Sequence, residues 1–135
     1  MHPNEVLIRK GYAAFVERDV DSLREFLHPD VIWHVAGSSP LAGVYQGHDQ
    51  LLPIFGMIDH LTDATFNVSA REMLPSDDHV VVLTRITAKK GDHVLDLDGV
   101  AVFKIVDGKA KEVWNFAEQQ GEVDEFFAYA ATAAD

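Results

Sequence analysis

Residue types that could carry chemistry are sparse in this chain of 135 residues. It has no cysteine, which excludes thiol nucleophiles, zinc–thiolate centres and disulfides. Its seven histidines show neither HxxxH nor HExxH spacing, so the sequence predicts no metal site. Two carboxylates at alternate positions, Asp96 and Asp98, could act as acid and base only if both faced a dry pocket. Whether these carboxylates can take part in catalysis therefore depends on the face of the sheet to which each strand directs its side chains.

The charge balance argues against polyanionic partners. Eleven Lys and Arg residues stand against 22 Asp and Glu, a formal net charge of −11, and the basic residues cluster only at Lys89 and Lys90. Such a chain repels phosphate backbones and anionic lipid, so we expect neither nucleic acid nor a membrane as a partner. Because no apolar run approaches the length of a membrane span, the sequence predicts a soluble protein, and the absence of cysteine favours a cytoplasmic location.

The elements that must position these groups are clearest near the C-terminal end. Residues 100–106 and 110–117 are rich in branched and aromatic side chains, which favours two strands. Between them, Asp107 and Gly108 supply the positive backbone angles that a tight hairpin requires. From residue 122 to 129 apolar side chains recur at helical spacing, which predicts a helix that covers the hairpin.

The rest of the chain divides into helices and a meander of strands. Helices are predicted over residues 4–18, 21–27 and 49–60. Further strands are predicted over residues 31–35, 65–73, 79–88 and 94–106. A length of 135 residues fits one domain, and this segregation of helices from antiparallel strands indicates the α+β class.

The chain resembles the NTF2-like superfamily, in particular its SnoaL-like and ketosteroid-isomerase-like branch. The resemblance lies in the order of the elements and in two stretches, YAAFVERDVDSLREFLHPDVIWHVAGSSPLAGVYQG and FKIVDGKAKEVWNF. It implies one SnoaL-like domain over residues 1–135, an NTF2-like cone in which a strongly curved mixed or antiparallel sheet wraps around the N-terminal helices, with a C-terminal helix. The superfamily includes isomerases, cyclases, hydrolases and proteins of no known reaction, so the fold does not select a reaction.

Three side chains are the candidate catalytic residues, and the resemblance points to the first two of them, Tyr12 and Arg85. Tyr12 falls where ketosteroid isomerases carry a tyrosine that donates a hydrogen bond to a developing oxyanion; the alternative is a core aromatic. Arg85 matches the arginine of limonene-epoxide-hydrolase-like enzymes and would bind a ligand carboxylate or enolate, with Asn115 orienting it. The alternative partners for Arg85 are carboxylates of the protein itself: Asp96, Glu118 or Glu72.

The acid and base of both reactions are missing at the matching positions. Val35 and Gly99 stand where ketosteroid isomerases carry their two carboxyl groups. Thr87 and Asn115 stand where epoxide hydrolases carry two aspartates. None of these four side chains can exchange a proton near neutral pH.

Strand alternation predicts the wall of the cone. If Arg85 points inward, so do Val81, Leu83 and Thr87, because alternate side chains share a face. The other predicted ligand-binding residues, from helices and strands, are Phe15, Trp33, Val35, Tyr45, Phe55, Ile58, Leu97, Gly99, Ala101 and Val113. Asp96 and Asp98 have the opposite parity to Leu97, which places both outside unless a bulge intervenes.

The outer face of the sheet is predicted to be too apolar to remain in water. Its predicted members are Val80, Val82, Thr84, Ile86, Val100, Val102, Trp114 and Phe116. Such a patch marks a partner surface, and in this superfamily the matching face commonly forms a homodimer. The alternative is inverted parity, which a one-residue bulge would produce.

Two functions remain open from the sequence. One is a homodimer that binds a small apolar or polycyclic molecule in its cone and acts on it by proton transfer as a cofactor-free isomerase, cyclase, lyase or hydrolase. The other is a non-enzymatic module that stores or senses such a ligand, or docks another protein. A carboxyl or imidazole near Tyr12 or Arg85 would favour the enzyme, and its absence would favour binding.

Overall fold

Four helices and six strands follow one another in residues 1–133, which a computed structural model describes; residues 134 and 135 of the predicted domain lie outside them. The helices are α1 Pro3–Glu17, α2 Val20–Phe26, α3 Gly47–Leu61 and α4 Gln120–Thr132. The strands are β1 Leu27–Val35, β2 Gly43–Gln46, β3 Asn67–Pro75, β4 His79–Lys90, β5 His93–Val106 and β6 Lys109–Ala117. None of these helices is both long and apolar enough to cross a bilayer.

All six strands form one sheet in the order β2-β1-β6-β5-β4-β3. Only the pair β1 and β6 runs parallel, and the other neighbours run antiparallel. The sheet is curved and unclosed, so its concave face receives the helices. The predicted α+β class and the curved mixed sheet with a C-terminal helix are confirmed.

Local sequence signals explain most element boundaries. Pro3 begins α1, where its missing N–H costs nothing, and the His2 ring accepts a hydrogen bond from the Asn4 N–H. Asp107 and Gly108 have φ angles of 55° and 70°, as the predicted hairpin requires. The N-cap of α2 is Asp19, whose carboxylate accepts from the Ser22 N–H at 3.2 Å. The predicted helix start at residue 21 was one residue late, because α2 begins at Val20.

The short strand β2 was not predicted as a strand. It pairs antiparallel with β1, setting Tyr45 opposite Trp33. Four residues offer too short an alternation to be read from sequence, and Gly43 at φ 150° breaks the pattern further. Its pairing nevertheless matters, because it covers the free edge of β1.

Close packing of α1 on α2 depends on a glycine. Gly11 is buried, and a Cβ at this position would lie 2.5 Å from the Phe26 ring. Phe26 in turn packs edge-to-face on Phe103 of β5, with ring centroids 6.2 Å apart. The absence of a side chain at Gly11 therefore allows α2 to pack close to α1 and to the sheet.

A bidentate ion pair ties the ends of α1 and α3 together. The Arg18 guanidinium donates to both Asp59 carboxylate oxygens, Nε at 3.1 Å and Nη2 at 2.8 Å. Nη2 also donates to the Phe66 carbonyl at 3.1 Å, just before β3. Two-point geometry of this kind fixes orientation as well as distance.

We expect Gly11→Ala to lower the free energy of unfolding by about 1 kcal/mol, because overpacking of about 1–3 kcal/mol outweighs the gain in helix propensity. Urea unfolding followed by circular dichroism measures this change.

Gly121→Ala is the matched control, since a Cβ there meets no atom within 4 Å. It should leave the protein as stable as the wild type or more stable. Equal stability of the two variants would contradict the tight contact.

Candidate functional site

The register between β4 and β5 decides which side chains face the helices. Thr84 lies opposite Gly99, and Arg85 lies opposite Asp98. Thr84 is buried, whereas the Arg85 side chain is 42% exposed. The inward set of β4 is Val80, Val82, Thr84, Ile86 and Ala88. The predicted parity of β4 was therefore wrong, while that of β5 and β6 was right.

Arg85 lies on the outer face of the sheet and cannot clamp an anion inside the cone. Its Nε donates to Asp96 at 2.7 Å and its Nη1 to Asp98 at 3.1 Å. Arg71 adds a contact to the second Asp98 oxygen at 3.2 Å. The hydrogen bonds that Arg85 donates to Asp96, and then to Asp98, raise the pKa of Arg85. The alternative weighed from sequence, pairing with Asp96, is the one the structure has.

Leu83 and Thr87 share the outer face with Arg85, so their predicted places in the cavity wall are wrong as well. The physical reason lies in the run from Val80 to Leu83, which is apolar at every position. Alternation cannot choose a face in such a run. The usable signal was the cross-strand match of Arg85 with two carboxylates already expected outside.

A cavity of about 170 Å³ lies between the helices and the inner face of the sheet. Seven of the predicted site residues line it: Tyr12, Phe15, Trp33, Val35, Phe55, Ile58 and Asn115. Leu97, Gly99, Ala101 and Val113 face the same way but lie in the packed core, outside the lining. Tyr45 is also outside the lining, and its hydroxyl donates to the Leu41 carbonyl at 2.6 Å.

Several lining residues were not predicted as site residues. Thr84 and Ile86 were missed through the inverted parity of β4. Gln120 and Phe127 come from α4, whose helical spacing was visible in the sequence but whose inward face was assigned only to covering the hairpin. Ser39 comes from a loop, for which no periodic signal exists.

Aromatic side chains give the cavity a stiff wall. Phe55 packs edge-to-face on Phe15 and on Trp33, with centroids 5.4 Å and 5.2 Å apart. Phe103 makes the same kind of contact with Tyr12 at 6.0 Å and with Trp33 at 6.5 Å. Edge-to-face pairs have a preferred geometry, so they hold the shape of the space they surround.

The polar groups of the wall are few and uncharged. Every fully buried side-chain nitrogen or oxygen of residues 1–133 has a hydrogen-bond partner. The Tyr12 hydroxyl has no hydrogen-bond partner among these residues, so it is not fully buried; it faces the cavity that Tyr12 lines. The Asn115 side-chain amide donates one hydrogen bond to the His34 carbonyl at 3.4 Å. Burial raises the pKa of Tyr12 well above its usual value, so this group remains a neutral phenol and a donor.

Ionised side chains are absent from the lining formed by residues 1–133. No carboxylate, imidazole, ammonium or guanidinium group faces the cavity in that part of the chain, and no three candidate metal ligands converge there. Tyr12 is therefore the only ionisable side chain in the described wall.

The loop beside the cavity is pinned to α4 by one carboxylate. Asp124 accepts from the Ser39 N–H and the Ser38 hydroxyl, each at 3.2 Å, and from the Gln120 amide at 3.1 Å. Desolvation raises the pKa of Asp124, but these hydrogen bonds outweigh it and leave the pKa below its usual value. Gly37 has φ 95° and leaves no room for a Cβ, which would lie 2.3 Å from Asp124.

Comparisons with known proteins point to one family. The sequence profile described as a SnoaL-like domain matches residues 8–113. An uncharacterized protein of Mycobacterium tuberculosis is 28% identical over 123 residues, which cover 90% of this chain and 94% of that protein.

Solved structures give the same result. Bal32a, from a soil-derived mobile gene cassette, superposes with a TM-score of 0.89 at 31% identity and covers 93% of this chain and 96% of its own. A Xanthomonas campestris protein of unknown function with a cystatin-like fold superposes with a TM-score of 0.87 at 27% identity. The match covers 94% of this chain and 98% of that protein.

The raised pKa of Tyr12 predicts a loss of stability in alkali. Because the folded state keeps the phenol protonated, its contribution is complete below about pH 10, the unfolded value, and is lost as the pH rises further. Between about pH 10 and pH 11 we expect wild type to lose about 1 kcal/mol more than Tyr12→Phe in urea unfolding.

Tyr129→Phe, which changes a tyrosine outside the lining, is the control and should keep the wild-type dependence on pH. An identical alkaline loss in Tyr12→Phe and wild type would show that the Tyr12 phenol is not desolvated.

Proposed function

Because the chain belongs to the SnoaL-like family, a branch of the NTF2-like superfamily, we propose that its cone binds a small, neutral, apolar or aromatic molecule. The observation that carries this proposal is the absence of ionised groups from the described lining. Burying an unpaired ligand charge in such a space costs several kcal/mol, so a neutral ligand is favoured.

The wall supplies two kinds of attraction. Removal of apolar ligand surface from water contributes about 25 cal/mol per Å², and the wall contributed by Phe15, Trp33 and Phe55 offers that surface. The Tyr12 hydroxyl donates to a ligand carbonyl or ether oxygen, and Asn115 orients it through its amide. One such hydrogen bond contributes about 0.5–1.5 kcal/mol.

Proton-transfer catalysis has weaker support. A neutral Tyr12 phenol can polarise a carbonyl, as an oxyanion donor does. Removing a proton from the substrate also requires a base within hydrogen-bond reach. Since the described lining offers no carboxylate or imidazole, binding without catalysis is the better account of this cavity.

A pair of nearly isosteric ligands tests the proposal. We expect acetophenone, a neutral ketone, to bind about tenfold or more tightly than benzoate, because the carboxylate would be buried without a cation. Isothermal titration calorimetry at pH 8 measures both. Tyr12→Phe should lower the affinity for the ketone about two- to tenfold, which corresponds to the loss of one hydrogen bond.

Ethylbenzene, which accepts no conventional hydrogen bond, is the control ligand and should bind Tyr12→Phe and wild type equally. Tighter binding of benzoate than of acetophenone would overturn the neutral-ligand proposal.

We also propose that the outer face of the sheet pairs with a second copy of the chain. Its apolar members are Val81, Leu83, Val100, Val102, Trp114 and Phe116. Phe116 is 50% exposed, which is unusual for so large an apolar side chain. Arg71 and Arg85 balance Asp96 and Asp98 beside this patch, so the face avoids the repulsion that a net charge of −11 would otherwise impose.

We expect size-exclusion chromatography with light scattering to give a dimer for wild type and a monomer for Phe116→Asp, because an isologous contact would bury two new carboxylates. Val16→Asp is the matched control, since Val16 on α1 is also 50% exposed, and it should remain dimeric. A monomeric wild type at micromolar concentration would contradict this pairing.

A further inference from the structure

A second chamber lies beside the cavity, between the ends of α1, α2 and α3. Its volume is about 150 Å³, and it is lined by Phe15, Arg18, Val20, Leu23, Leu52, Phe55, Gly56 and Asp59. None of the roles assigned above uses this space. It opens toward the helix side of the molecule, away from the outer face of the sheet.

The partition between the two spaces is one side chain thick. Phe15, Leu23 and Phe55 line both the cavity and the second chamber. Phe15 and Phe55 meet edge-to-face, and each has open space on both sides. The two spaces become continuous only when a ligand displaces the Phe15 or Phe55 ring, which breaks their edge-to-face contact.

The volumes indicate what the combined space can hold. A cavity near 150 Å³ accommodates a molecule of about benzene size. The cavity and the chamber, at about 170 and 150 Å³, together reach roughly the 300 Å³ at which pockets for drug-sized ligands begin. One space alone fits a ring, whereas both together fit a ring that carries a chain.

The second chamber offers an apolar environment despite its two charged residues. Arg18 and Asp59 neutralise each other through the bidentate pair. The remaining N–H groups of Arg18 donate to backbone carbonyls. Nη1 donates to the carbonyls of Phe15 and Val16, and Nη2 donates to that of Phe66. No Arg18 nitrogen is left to attract an anion, so the chamber favours an uncharged alkyl or aryl arm.

We infer that the second chamber is a subsite for an apolar arm, and that the ligand is an elongated neutral molecule with its oxygen-bearing ring at Tyr12. This inference rests on the proposed function, because the ring must occupy the main cavity. It adds the length and shape of the ligand to its polarity.

Gly56 provides a way to fill the chamber without disturbing the fold. It lines the chamber within α3, and an added Cβ meets no atom within 4 Å. Gly56→Leu therefore adds a bulky side chain at the wall of the chamber and raises helix propensity at the same time. Gly121→Leu, in α4 and equally free of contacts, is the matched control.

The probes are acetophenone, butyrophenone and hexanophenone, which keep one ring and one ketone while the chain lengthens. In wild type and Gly121→Leu, affinity should rise about fourfold for each buried methylene along the series. In Gly56→Leu, acetophenone should bind as in wild type, while hexanophenone should bind about tenfold or more weakly. Gly56→Ala should fall between the two.

The possible results separate the two proposals. If Gly56→Leu follows wild type along the whole series, the second chamber is not a subsite, although the cavity still binds neutral ligands. If acetophenone does not bind wild type, the proposed function fails and this inference fails with it. A loss of acetophenone binding in Gly56→Leu alone would place the ring in the chamber and overturn the arrangement.

Discussion

The cross-strand contact of Arg85 with Asp96 and Asp98 is the interaction on which the character of the cavity depends. It fixes three charges on the convex face of the sheet. Because side chains alternate, the same register turns Thr84 and Ile86 toward the helices. A shift of one residue would put a guanidinium inside the cone and two buried valines outside it. Neutral interior and charged exterior are thus two results of one pairing.

The helices define how much space that interior contains. Gly11 allows the Phe26 ring to approach α1 closely, while Arg18 and Asp59 hold the ends of α1 and α3 at a fixed distance. On the opposite side, Asp124 holds the 38–39 loop against α4. The close contact at Gly11, the Arg18–Asp59 ion pair and the hydrogen bonds of Asp124 therefore surround a space that side chains do not fill. The edge-to-face rings then divide it.

The sequence predicted the fold far better than the site, and particular residues show why. Asp107 and Gly108 carry a local turn signal, and Pro3 marks a helix start, so these boundaries depend on neighbours in the chain. The direction of Arg85 depends on pairing with another strand, and the run Val80 to Leu83 has no alternation to reveal it. Ser39 and Gln120 reach the cavity through tertiary packing alone. Tyr12 and Asn115, which were chosen by comparison with the family, do line the cavity.

The parallel pairing of β1 with β6 has a kinetic consequence. The hydrogen bond from Asn115 to the His34 carbonyl joins residues 81 positions apart, and the strand that carries Trp33 has no partner of comparable length until β6 arrives. Closing so large a loop is entropically slow, and contacts of this sequence separation delay folding. During synthesis the early half of the sheet must wait for the last strand to leave the ribosome. Over that interval the apolar surface around Trp33 stays exposed, and exposed surface of this kind favours aggregation.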